Sequence, residues 1–177
     1  MRMKGPIVNS FQPDLSLLEV LDARHKVVAA MSPSRVHSQG LWHQRAIALI
    51  YKGSALLVSR RPPQSLDCPL CWDVSISEHV FFGCSAYETL REGLYLRLGI
   101  TFSKMGLTHV LPASAEADNE LLTIYSVKAS SQLQASVRSE CASMFLEEHE
   151  IKALVHTFPD QVSSTLLVLY TSGLLFA

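Results

Sequence analysis

Glu88 and Glu92 stand one helical turn apart in the segment Ala86–Leu98, so both carboxylates share a face and could hold one cation between them. Oxygen ligands suit a hard divalent ion, and such an ion with an oriented water is what cleavage of a diphosphate requires. Glu88 has a competing use, because Ser85-x-x-Glu88 has the pattern of a capping box, and a solvated helix face is the alternative. Arg60 and Arg61 close an apolar run, and a guanidinium fork matches phosphate oxygens; plain surface charge is the other reading. Asp118 and Glu120 are spaced i, i+2, which turns both the same way if a strand has begun there. Cys68-Pro-Leu-Cys71 fits half a zinc site, a redox couple or two ordinary loop thiols.

These side chains need a frame. Apolar runs at 18–21 and 27–31 flank Asp22-Ala-Arg-His25 and predict a hairpin, after which Ser32-Pro33-Ser34 starts a short helical or irregular segment. A second hairpin is expected over 46–51 and 55–59, around Lys52-Gly53, followed by a loop over 60–68 and a strand over 72–76. The clearest element is the helix Ala86–Leu98, with Gly99 just past its end and Tyr87, Leu90, Leu94 and Leu98 recurring on one face. Strands follow over 107–111 and 121–127, then helices over 147–155 and 162–175, separated by Pro159. Glu147, Glu148 and Glu150 favour a helix start and need no catalytic role. The order predicts an α/β (α+β) fold, a mixed β-sheet sandwiched between helices. Residues 1–15, with Pro6 and Pro13, read as a mobile arm before a single domain over 16–177.

The chain has 177 residues, 48% of them hydrophobic, enough for a core and against disorder. Lys+Arg 15 against Asp+Glu 16 leaves a net charge of -1, which predicts no general attraction to nucleic acid or an anionic membrane. The N-terminus has no apolar signal-peptide core, and the apolar run over 165–177 is shorter than the roughly 20 residues that span a bilayer. A buried terminal helix, a cytoplasmic location and reduced cysteine thiols are the expectations.

The stretch Trp72–Ile100, WDVSISEHVFFGCSAYETLREGLYLRLGI, resembles the Nudix box Gly-x5-Glu-x7-Arg-Glu-U-x-Glu-Glu-x-Gly-U, where U is a bulky apolar residue. Laid on without gaps, the first Gly falls on Glu78 and the first Glu on Cys84, Arg-Glu on Glu92-Gly93, and Glu-Glu on Leu96-Arg97; Gly99 and Ile100 match. The layout of strand, turn and capped helix is kept, while the carboxylates that bind magnesium are not. Outside the box, His37 and His43 before the first long strand, Leu-Leu-Val-Ser-Arg-Arg at 56–61 leading to Trp72-Asp73, and Asp118-Asn119-Glu120 entering a strand are similar to Nudix hydrolases of the branch resembling type I isopentenyl-diphosphate isomerase.

That resemblance implies a single metal held at His37, His43, His79, Asp118 and Glu120, a ligand set that suits zinc, manganese or iron better than magnesium. The isomerase itself needs a cysteine where Ser77 stands, so double-bond migration is not expected. The implied function is metal-assisted hydrolysis of an organic or nucleoside diphosphate with a divalent ion (Mg, Mn or Zn), impaired by the lost box glutamates. Arg60 and Arg61 would clamp phosphate, and Glu92 would be the helix ligand or base, with Glu120 beside it in the catalytic set. The alternative is a catalytically inactive Nudix-fold module that binds a metabolite or a protein. A further reading is a structural subunit in which Leu96 and Phe81-Phe82 form an apolar contact surface, and a homodimer is the partner expected beside a small-molecule diphosphate.

Overall fold

Within His43–Lys52 the run Ala46–Tyr51 is apolar at consecutive positions, so both of its faces must be covered, and that requirement organises the molecule. In a computed structural model, residues 14–65, 67–99, 101–102, 104–130, 133 and 143–176 are described. Strands β1 (Asp14–Leu21) and β2 (Val27–Met31) form the first expected hairpin, and the short helix α1 (Pro33–Ser38) follows. Most of the expected arm, residues 1–13, lies outside the described residues, but Asp14 and Leu15 already belong to β1.

Strand β3 (His43–Lys52) turns back into β4 (Ala55–Arg60) through Gly53 at φ 62°, a conformation that suits glycine. The chain then forms β5 (Trp72–Asp73), β6 (Ile76–His79), β7 (Phe81–Phe82), helix α2 (Ala86–Leu98), β8 (Gly106–Leu111), β9 (Glu120–Lys128) and β10 (Ser143–Leu146), and ends in helices α3 (Glu148–Thr157) and α4 (Ser164–Thr171). Among the described residues, the larger sheet runs β10-β4-β3-β9-β8, with β5 on β4 and β6 on β3; β2-β1-β7 form a smaller one. β3 and β9 are parallel and the remaining pairs antiparallel, which makes the sheet mixed.

Alternation along β3 divides the core into two layers. Ile47 and Leu49 pack with Leu122, Ile124, Ile151 and Leu166 towards α3 and α4. Ala46, Ala48 and Ile50 pack with Leu90, Leu94 and Leu98 of α2 on the other side. The expected sandwich of a mixed sheet between helices is therefore what the chain adopts. Helix α2 has the expected bounds and the reciprocal Ser85–Glu88 capping box, and Gly99 closes it at φ 66°.

Three elements differ from expectation. The strand over 72–76 is broken, because β5 pairs with β4 while β6 pairs with β3. Buried Ser75 sits at the crossover, where its hydroxyl donates to Leu57 O (2.6 Å) and accepts from Ile50 N (2.9 Å). β10 gave no signal in its short mixed sequence; its backbone completes the edge of β4. The terminal helix is shorter than 162–175, since Ser163 caps it by accepting from Leu166 N and Gly173 at φ 68° follows its end. Among the described residues no helix is long and apolar enough to cross a membrane.

Candidate metal centre

Strand register brings the centre together. His43 opens β3 and Glu120 opens β9, and the parallel ladder sets them directly side by side. Arg45 lies two residues along β3, on the same face as His43, and its neighbour across β6 is His79. His37 comes in from α1, whose Pro33 occupies the first turn. The ligating atoms of His37, His43, His79 and Glu120 all fall within 4.8 Å of one another.

The hydrogen bonding explains which atoms are free. His43 Nδ1 is 2.9 Å from Leu41 O, a carbonyl that can only accept, so Nδ1 carries the proton and neutral His43 turns a lone pair outward at Nε2. Glu120 Oε1 lies 3.2 Å from that Nε2 and 3.3 Å from His79 Nε2, while His37 Nε2 and His79 Nε2 are 3.1 Å apart. Both His43 Nε2 and Glu120 Oε1 are buried without a hydrogen-bond partner. When His43 is neutral, the two lone pairs face each other 3.2 Å apart and repel, and a cation between them removes the conflict.

The spacing suits one. Tetrahedral ligands about 2.0–2.1 Å from zinc lie roughly 3.3 Å from each other. Three of the six ligand-atom pairs here are 3.1, 3.2 and 3.3 Å apart, and all six fall within 4.8 Å. Three imidazoles and one carboxylate favour zinc, manganese or iron over magnesium.

Electrostatics keeps the ligands in their binding forms. Burial, followed by the Arg45 charge, pulls His79 from 6.5 down to about 4, and burial also lowers His37. Burial alone would raise the Glu120 carboxyl, but the Arg45 guanidinium more than cancels it and holds the group well below the ordinary value. At neutral pH the centre thus offers unprotonated His37 and His79 and an ionised carboxylate. Arg45 Nε donates to Glu120 Oε2, which leaves Oε1 for the imidazoles, and Nη1 donates to Ser77 Oγ at 3.0 Å. Nη2 donates to His79 Nε2 at 2.8 Å, a bond that must yield when an ion takes that lone pair. Arg45 was not singled out in the sequence, although a cation within a strand as apolar as His43–Lys52 must have a buried anion.

Other candidate residues lie elsewhere. Asp118 does not join the cluster: it ends the 3-10 turn Ala115–Ala117 at φ 53°, before β9 begins, and accepts from Ser164 Oγ. The i, i+2 argument fails because Glu120 is the first residue of the strand. Arg61 is buried and committed to Asp73 Oδ2 (2.7 Å) and to Asp67, so it has a structural role where a phosphate clamp was expected. Arg60 stacks over Trp72, 5.1 Å from the ring, and reaches Gln161. Cys68 and Cys71 form a disulfide, against the expectation of free thiols; Cys84 is free.

Glu92 is exposed on α2 and lines a cavity of about 390 Å³ that reaches His79, with Glu78, Phe81, Leu96 and Arg97 around it. Glu88 is spent in the capping box. Leu96 is exposed beside the cavity, and Arg97 Nε donates to Glu78 Oε1 at 2.6 Å. Gly93 makes that pair possible, since a Cβ there would meet Glu78 Cγ at 3.0 Å.

No family model matches the sequence. An uncharacterized Nudix hydrolase of Nostoc sp. is 32% identical over 89 residues, 49% of this chain; the match spans about half of that relative, 53% of its length. The crystal structure of DR0079 from Deinococcus radiodurans superposes with a TM-score of 0.74 at 15% identity, covering 88% of this chain and 98% of that one. A NUDIX hydrolase from Nitrosomonas europaea gives a TM-score of 0.51 at 14% identity over 73% of this chain and 88% of its own. The structural likenesses show a Nudix fold, and the Nostoc relative is similar to this chain over about half of each sequence.

Proposed function

We propose that this Nudix-fold chain is a metal-dependent hydrolase of diphosphate bonds whose ion is held by His37, His43, His79 and Glu120 and not by the box helix. The observation that carries this reading is the buried pair His43 Nε2 and Glu120 Oε1, each without a partner and 3.2 Å apart. An ion bound there supplies positive charge for a phosphate oxygen and acidifies a water. The protein does the rest. Arg45 orients the Glu120 carboxylate through Oε2, and Leu41 O fixes the His43 tautomer. In this reading the cavity beside α2, lined by His79 and Glu92, takes the organic or nucleoside diphosphate, and Glu92 is the proton acceptor. Arg60 remains a phosphate contact within this proposal; Arg61 does not.

The Glu78–Arg97 pair favours a second reading, a module that binds such ligands without cleaving them, because it occupies the helix face that would carry magnesium. A phosphate-release screen over organic and nucleoside diphosphates with manganese, zinc and magnesium separates the two. Turnover with manganese or zinc that is lost in His43→Ala supports the hydrolase. Ligand-induced thermal stabilisation without phosphate release supports the module, and magnesium turnover unaffected by His43→Ala contradicts both.

A further inference from the structure

We infer that Cys68–Cys71 is a reducible disulfide that controls the His–Glu centre through Asp67 and Arg45. The inference goes beyond the proposed hydrolysis, although its effect on metal affinity rests on that reading. Cys68 is half-buried and Cys71 buried, so a reductant meets the first sulfur more readily than the second. The bond closes a turn in which Cys68 (φ 42°) and Leu70 (φ 64°) are left-handed, a conformation L residues adopt only when their surroundings impose it. Cys71 N also donates to Cys68 O at 3.3 Å, and Cys71 O accepts from Arg61 N at 2.9 Å.

The residue before this turn faces the centre. Asp67 accepts from Arg61 Nη1 and lies 3.6 Å from Arg45 Nη2, the same nitrogen that donates to His79 Nε2. Arg45 in turn holds Glu120. Disulfide, Asp67, Arg45 and the metal-binding atoms therefore form one continuous chain of contacts. Asp67 is a positioning residue here: it offsets part of the Arg45 charge beside a cluster expected to take a dication.

The chemistry is thiol–disulfide exchange with a small dithiol. A reductant thiolate attacks Cys68 Sγ, the Cys68–Cys71 bond breaks, and Cys71 leaves as a thiolate. The second reductant thiol then resolves the mixed disulfide and releases Cys68. Two electrons pass to the protein, the dithiol becomes a disulfide, and its two protons end on the cysteine sulfurs. Opening the turn frees Asp67, leaves Arg45 with less negative charge nearby, and weakens the hold on a divalent ion.

The test uses the full chain, oxidised or reduced with a dithiol and desalted without air. Alkylation and mass analysis should modify Cys68 and Cys71 together and only after reduction. Zinc competed against a chelator should bind about tenfold more weakly to the reduced form, a coupling within the usual range between linked sites. Asp67→Asn should weaken zinc to a similar degree while oxidised and be insensitive to reduction. In the metal-free protein, the imidazole NMR signals of His37, His43 and His79 should shift on reduction. Equal zinc affinity in both forms, or an Asp67→Asn protein that still responds, overturns the inference. If neither form binds zinc, the metal reading fails on its own and the imidazole signals decide: unmoved signals overturn the coupling and shifted ones sustain it.

Discussion

Replacing Glu120 with glutamine separates its two tasks. In the metal-free protein it removes the anion that neutralises buried Arg45, and losing one partner of a buried pair costs about 3–5 kcal/mol. The new amide can donate to His43 Nε2, which is 3.2 Å from Glu120 Oε1 and has no partner, and such a bond returns about 1 kcal/mol. The net loss is about 2–4 kcal/mol, or about 10 °C in Tm for a chain of this size. With zinc at a hundred times its Kd, the unaltered protein should gain about 2.7 kcal/mol, and the variant nearly nothing. Thermal melts with and without zinc, at matched protein concentration, measure both quantities. Glu120→Asp keeps a charge for Arg45 and serves if the glutamine variant does not fold. A variant that keeps the full zinc-induced rise in Tm refutes the assignment of Glu120 Oε1 as a ligand. One whose metal-free Tm is unchanged refutes the account of Arg45.

Lowering the pH should destabilise the metal-free protein through His79. Its folded value of about 4 lies below the ordinary 6.5, so the unfolded chain binds the extra proton first; stability is complete above pH 6.5 and falls by at most about 3 kcal/mol as pH drops to about 4, measured by urea titration. A flat profile over that window contradicts it. Arg61→Ala should cost about 3–5 kcal/mol by leaving buried Asp73 without its cation and Asp67 with Arg45 alone, and the loss should appear in denaturant melts before it appears as a KM effect. Gly93→Ala should move Glu78 off Arg97, since its Cβ would lie 3.0 Å from Glu78 Cγ; the broken exposed pair and the helix gain of alanine nearly cancel, so stability should change by less than about 1 kcal/mol. Leu90→Ala, in the layer under α2, should cost about 2–5 kcal/mol in the same melts.

The sequence made the locally encoded parts legible. Helix α2 announced itself through Ser85, Glu88, its apolar spacing and Gly99, and the β3–β4 turn through Lys52-Gly53. His37, His43, His79 and Glu120 came from a resemblance in order and spacing; their convergence depends on the parallel β3–β9 register and on β6 joining β3, which no local pattern states. For the same reason Asp118 was misplaced: two residues before a strand are not part of its alternation, and a left-handed turn points Asp118 at Ser164. Arg61 looked like a phosphate ligand because its partner Asp73 could be recognised only after β5 had been paired with β4. The disulfide was equally hidden, since Cys-x2-Cys spacing allows several outcomes and the backbone at Cys68 and Leu70 selects among them.

Anomalous diffraction from crystals grown with zinc or manganese tests the central claim most directly. The expected result is one peak about 2.0–2.2 Å from Nε2 of His37, His43 and His79 and from Oε1 of Glu120. A peak at Glu92 and Glu88 on α2, with none among the histidines, would contradict it.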